Sequence, residues 1–352
     1  MNRDRLVAAA RLGGDYLVRM QMADGRFRYS YNPVTNQFSK LSYNILRHAG
    51  AAISLFDLYS ATRDTRYLKA ATKAVVYLKT RLRRANKAGL LVPDHDGKAK
   101  LGANGLALIA FVRYIELTGS AQARAQAVGL ARLIMAMQAS DGSFKSYYAI
   151  RGHPASLRVS LYYPGEAILG LLRLYNLTRD SKLLDAARRG ADYLIKSQQS
   201  ADDLPPDAWL IQALEQLYKI GHEPRYASHA IDLAEAMIAD QYTIDDGSER
   251  AGAFRPGEPR ATPAASRAEG LVASYRLARA TGDARAGKIA EALRAAARFQ
   301  MSQQYTAQNS AQLANPAVAS GGFRESLTSP RIRIDFVQHN ISSLLAVADA
   351  LY

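Results

Sequence analysis

The chain has 352 residues, 48% of them hydrophobic, with 46 Lys and Arg against 31 Asp and Glu and no cysteine. Without cysteine there are no disulfides, thiolate metal sites or cysteine nucleophiles. The net charge of +15 suits an anionic ligand, but the arginines are dispersed, with RLRR at 81–84 the densest run, which argues against a nucleic-acid stripe.

The first twenty residues, MNRDRLVAAARLGGDYLVRM, read as an amphipathic helix and not as a signal peptide. The expected location is cytoplasmic if this start is native, or periplasmic if a leader has been removed. No stretch is expected to span a membrane. Apolar periodicity then predicts twelve helices in chain order, at roughly 4–22, 43–61, 65–83, 101–118, 121–138, 164–178, 181–198, 207–220, 224–240, 265–280, 283–301 and 336–351. No linker interrupts them, so residues 1–352 are read as one domain and a monomer.

The helices come in pairs. LYSATRDTRYLKAA, LYNLTRDSKLLDAA and YRLARATGDARAGKIA each join an apolar helix to a second one through a short polar turn. This is an internal repeat of roughly 50–60 residues. The other connections are long, at roughly 23–42, 84–100, 139–163, 241–264 and 302–335, with 199–206 the short exception. In a closed antiparallel ring all long loops share one face, and loop mass on one face is where function concentrates. MQMADGRFRYSY, MQASDGSFKSYY and SGGFRES in these loops suit short hairpins, with Asp-Gly or Gly-Gly at the turn. The fold class is therefore all-α, an (α/α)6 toroid of six helical hairpins with short β-hairpin loops on one face.

The even helices are the more apolar and are assigned to the inner ring. Their first turns nevertheless hold polar residues, which a buried helix avoids without a reason. These are Tyr43, Asn44, Arg47 and His48; Asn104; Tyr162, Tyr163 and Glu166; Asp207 and Trp209; Arg267 and Glu269; and Asp335, Gln338, His339 and Asn340. All lie at the long-loop face.

In YNILRHAG, YYPGE and VQHN the chain resembles the six-hairpin glycosidase-like superfamily, over nearly its whole length and at the level of architecture. That group includes inverting glycoside hydrolases, unsaturated glucuronyl hydrolases and N-acylglucosamine 2-epimerases. The resemblance implies a carbohydrate-active enzyme. His339 resembles the last of the epimerase family's two inner-helix histidines, whereas the fourth inner helix offers Asp207 and Trp209 where the other is expected. Terpene cyclase toroids share the Gln…Asp-Gly-aromatic phrase, but no DxDD is present. Prenyltransferases and lanthionine cyclases need a cysteine ligand for zinc.

Three readings stay open. The first is a glycoside hydrolase on an acidic or bacterial polysaccharide, with catalytic carboxyls drawn from Glu166, Glu269 and Asp207, since glycoside hydrolysis takes two carboxyl groups. The second is an epimerase or lyase using His48 and His339 to move a proton at a sugar carbon. The third is a non-catalytic binding toroid. Substrate contacts are expected from Tyr43, Asn44, Arg47, Asn104, Tyr162, Tyr163, Trp209, Arg267 and Gln338, because flat rings match sugar faces and guanidinium forks match carboxylates. Arg151, Arg255, Arg331 and Arg333 lie on the same face. No metal, cofactor or nucleic acid is expected; the partner is a saccharide, with an anionic one the favoured candidate.

Overall fold

The structure is a computed structural model and describes residues 1–39, 43–150, 159–200, 203–243 and 248–352. Six helices form a closed inner ring: α2 (Ile45–Thr62), α4 (Leu101–Thr118), α6 (Tyr163–Thr178), α8 (Ala208–Gly221), α10 (Ala261–Thr281) and α14 (Ile334–Leu351), with α14 packed back on α2. Outside them lie α1 (Arg3–Met20), α3 (Thr65–Arg81), α5 (Ala121–Ala136), α7 (Ser181–Gln199), α9 (Pro224–Ala239) and α11 (Ala286–Ser302). The expected (α/α)6 toroid is what forms. The tenth helix starts earlier than expected, at Ala261, because Pro263 sits in its first turn, where a missing N–H costs nothing.

Five of the six outer helices, all but α1, are reached from an inner helix by a tight turn. The inner helix ends on a residue in left-handed conformation, namely Arg63, Gly119, Arg179, His222 or Gly282 (φ 59°, 65°, 61°, 51° and 71°). That residue's N–H closes the helix, and Asp64, Ser120 and Asp180 then cap the next one. The turn chemistry thus explains the repeated T-R-D and T-G phrases.

The long loops are tied to the ring by a recurring side-chain bond. Gln21, Gln138, Gln241 and Gln304 follow an outer helix, and each donates its amide to a carbonyl in the middle of another outer helix: Ala70, Ala186, Ala292 and Ala9, at 2.8–3.0 Å. Each glutamine also makes a backbone bridge to a phenylalanine further along its loop: Phe27, Phe144, Phe254 and Phe323. The bond from Gln304 to Ala9 joins the last outer helix's loop to the first outer helix and closes the outer layer. Two copies of this device, at Gln241 and Gln304, have loops too long for the sequence phrase to reveal.

Short strands join neighbouring loops. β1 (Ser30–Asn32) pairs with β2 (Gln37–Phe38) and with β7 (Ile332–Arg333), while β5 (Ala99–Lys100) pairs with β6 (Tyr147–Tyr148), all antiparallel. A further pair, β3 (Arg83–Arg84) with β4 (Leu90–Leu91), lies in the loop before α4. The last long loop also holds two single-turn helices, α12 (Ala307–Ser310) and α13 (Pro316–Ala319), that periodicity cannot register.

The expectation of no membrane-length segment needs one correction. Helix α4 is long and apolar enough to cross a membrane, but 72% of it is buried inside the ring. Its hydrophobicity comes from being surrounded by helices on most sides, which is what an inner position demands.

Candidate active site

Each inner helix turns one stripe of residues into the lumen, at spacings of three and four. On α2 the stripe is Arg47, Gly50, Ile53 and Asp57; on α6 it is Glu166, Leu169 and Arg173; on α10 it is Ser266, Glu269, Ala273 and Arg276; on α14 it is Asp335, His339, Ser342 and Ala346. Two cavities follow these stripes. The upper one opens among the long loops and is walled by Asn44, Arg47, Tyr162, Tyr163, Glu166 and Arg267. The lower one, about 270 Å³, runs down the ring axis. Trp209 and His339 line both, so they stand at the junction. The upper cavity is where the loop asymmetry placed a site.

Two carboxyls meet at the inner-helix N-termini. Asp207 caps α8, with Oδ1 accepting from Leu210 N at 3.0 Å. Its Oδ2 is buried and has no hydrogen-bond partner among the described residues. Burial outweighs the backbone bonds and pushes its carboxyl up to about 7. Glu166 is likewise buried and its Oε2 is unpartnered. Burial, followed by the charge of Asp207, raises it well above the usual glutamate range. Glu166 therefore holds a proton more tightly than an ordinary glutamate, and it faces the upper cavity. It fits there only because Gly102 has no side chain; a Cβ at that position would collide with Oε2.

The second cluster belongs to α10 and α14. His339 Nδ1 lies 3.2 Å from both oxygens of Glu269, and the Trp209 ring stands edge-on to the imidazole at 6.1 Å. Burial disfavours the imidazolium, but the Glu269 carboxylate outweighs it and raises His339 above the ordinary histidine value. Burial raises Glu269, against the pull of His339. The pair can hold and pass a proton.

Other expected contacts divide cleanly. Asn44 caps α2 by accepting from Arg47 N at 3.1 Å, and it lines the upper cavity. Arg47 lines the same cavity but is committed: Nε pairs with Asp335 at 3.1 Å, and the guanidinium donates to the Tyr29 hydroxyl. Asp335 is also held by Arg333 at 2.6 and 2.9 Å. Arg331 pairs with Glu325. Arg255 lies over the Tyr242 ring, and Arg151 falls outside the described residues. Arg267 differs. It donates to the Arg255 carbonyl at 2.9 Å and lies over Phe254, but has no carboxylate partner among the described residues. Tyr162 is exposed at the rim, and Tyr163 packs edge-on to Tyr147. Gln338 lines the lower cavity, and its amide fills the space left by Gly50.

Three expected site residues turn away from the lumen. His48 is fully buried against the outer layer. Tyr43 accepts from Phe27 N and donates to His48 Nδ1 at 2.6 Å, which leaves Nε2–H to donate to the Ala74 carbonyl at 2.9 Å. Burial lowers this histidine to about 4, so it is neutral and both its nitrogens are used. The expected His48–His339 pair is not brought together: His48 follows Arg47, and one step along a helix turns a side chain by about 100°. Tyr43 is spent on the same network. Asn104 receives Val92 N at 2.8 Å and donates to the Lys100 carbonyl, fastening the loop before α4. Sequence reasoning passed over Gly102 and the Tyr29–Arg47–Asp335–Arg333 network. The alternation in RIRID was the available signal for the latter.

The sequence matches no family model and no curated protein. The fold, however, matches solved structures along nearly the whole chain. One is an α-1,6-mannanase of glycoside hydrolase family 76 from a Salegentibacter species, at 16% identity and TM-score 0.69, covering 98% of this chain and 99% of that one. Another is cellobiose 2-epimerase from Bacillus thermoamylovorans, at 14% identity and TM-score 0.74, with coverage of 98% and 99%. A third is an unsaturated glucuronyl hydrolase specific for heparin, at 13% identity and TM-score 0.72, with coverage of 98% and 97%. These are toroids of the six-hairpin glycosidase superfamily, and this chain has their fold. The architectural resemblance read from the sequence is thereby borne out.

Proposed function

We propose that this chain is a carbohydrate-active enzyme, a glycoside hydrolase that cleaves at the junction of the two cavities. The fold alone does not choose a reaction, since its relatives include hydrolases and epimerases. The observation that carries the reading is Glu166, a buried carboxyl at the cleft wall with an unpartnered oxygen, whose affinity for a proton is raised by burial and by Asp207. A general acid for glycosidic oxygen needs such a raised carboxyl.

In the proposed reaction the sugar packs on Trp209. Glu166 gives its proton to the glycosidic oxygen as the C–O bond breaks. Glu269, oriented by His339, takes a proton from the water that attacks the anomeric carbon. A carboxylic acid and a carboxylate base in these two roles would invert the anomeric centre. Arg267, without a carboxylate of its own, favours an anionic saccharide.

Screening acidic oligosaccharides for release of reducing ends, with Glu166→Gln and Glu269→Gln alongside, tests this directly. Both variants should lose turnover; full activity in both removes the assignment. One observation favours a second reading. A histidine backed by a carboxylate, as His339 is by Glu269, is also equipped to move a proton at a sugar carbon, as in epimerisation. Solvent deuterium would then enter recovered sugar, which hydrolysis does not require. A binding toroid without chemistry would give no turnover across the panel.

A further inference from the structure

The lower cavity ends in a ring of charges that the proposed hydrolysis does not use. Asp57, Arg113, Arg173 and Arg276 occupy equivalent places. Each stands five positions before the threonine that ends its helix: Thr62, Thr118, Thr178 and Thr281. Each of these threonines bonds its hydroxyl back to a carbonyl of its own helix, so the four positions share one register. Glu215 adds a carboxylate from α8. At about 1.5 Å of rise per residue, Arg276 lies about 10 Å below Glu269 along the ring axis.

The ring is not neutralised evenly. Arg113 binds Asp57 at 3.0 Å, Glu116 at 3.0 Å and Ser60 at 3.1 Å. Arg276 binds Asp349 at 2.6 Å and reaches Glu215 at 4.0 Å. Glu215 is already bound by Lys219 at 2.7 Å. The carboxylates are thus committed to other cations. Arg173 has no hydrogen bond and no ion pair among the described residues, yet it lines the cavity and is mostly enclosed by protein, which makes its charge costly. Asp57 and Glu215 act on this guanidinium only from a distance and are themselves bonded to Arg113 and Lys219, so its N–H donors are left for a ligand.

We propose that the lower lumen is an oxyanion-binding site. The Arg173 fork grips a carboxylate or an oxyanion of sulfate or phosphate type. The ligand has two conceivable sources: a free small oxyanion, or the carboxylate of an acidic saccharide that reaches down past Trp209. The chemistry at Arg173 is the same for both. Binding here does not depend on Glu166 acting as an acid.

The test is thermal unfolding and calorimetric titration of the full chain with sodium sulfate at constant ionic strength, then with glucuronate against glucose. Wild type should show a saturable rise in Tm with sulfate. Arg173→Met should fold, because no hydrogen bond is lost, and should show no rise. Arg298→Met, on the exposed side of α11 and outside both cavities, should respond like wild type. A saturable sulfate response that survives unchanged in Arg173→Met, or vanishes in Arg298→Met, overturns the proposal, as does no response in wild type. Glucuronate binding that disappears in Arg173→Met assigns the site to a saccharide carboxylate. Sulfate binding alone with the same dependence assigns it to a free oxyanion.

Discussion

The two ends of the ring handle charge in opposite ways. At the tight-turn end, carboxylates sit beside arginines and lysines whether exposed or buried, as Asp57 does with Arg113, Asp349 with Arg276 and Glu215 with Lys219. At the long-loop end Asp335 is paired with Arg47 and Arg333, but Glu166 and Asp207 are buried together with no cation bound to either among the described residues. The first arrangement keeps carboxylates ionised. The second raises their affinity for protons. Six helix N-termini converge on the long-loop end and would by themselves favour ionised carboxylates. Burial wins there because each carboxyl is enclosed between two helices that approach across a glycine, as at Gly102.

The largest expected break in this contrast is Glu166→Gln. It should lower turnover by about 10²- to 10⁴-fold, measured as reducing-end release, with the circular dichroism spectrum unchanged. Next is Gly102→Ala. The added methyl must displace the Glu166 carboxyl, so activity should fall and stability should drop by about 1–3 kcal/mol in chemical denaturation.

Asp207→Asn sharpens the comparison through pH. The folded-state value near 7 lies above the ordinary 3.8, so the folded chain holds this proton more tightly than the unfolded one. The resulting penalty on folding grows from about pH 4 to pH 7 and is constant above, reaching about 4 kcal/mol. Asparagine keeps the cap to Leu210 and removes the penalty. Its gain in Tm over wild type should therefore be larger at pH 8 than at pH 5, and an equal gain at both would refute a raised Asp207. The smallest effect is expected from Gln138→Ala, which removes the bond to Ala186 in the outer layer and touches neither cavity. It should cost about 1 kcal/mol and leave turnover intact.

Much of this was legible in the sequence. Helix periodicity and the T-R-D turns gave the paired helices, and unequal connections chose the face. The polar first turns named Glu166, Asp207, Glu269, Trp209 and His339 before any coordinates. What they could not supply was rotation. Arg47 and His48 are adjacent in sequence, but one faces the lumen and the other faces Ala74 on α3. The phase was latent in the spacing of Arg47, Gly50, Ile53 and Asp57, which marks the lumen stripe once the ring geometry is known. The charges at the far end share a fixed spacing to Thr62, Thr118, Thr178 and Thr281, but which cation meets which carboxylate, as Arg113 meets Asp57, is set between helices and leaves no local pattern.

The most direct test of the account is the structure of Glu166→Gln soaked with an acidic oligosaccharide. The account predicts sugar rings against Trp209, with a glycosidic oxygen beside residue 166 and the His339–Glu269 pair facing the anomeric carbon. Sugar rings bound only at the tight-turn mouth, with the long-loop cleft empty, would contradict it.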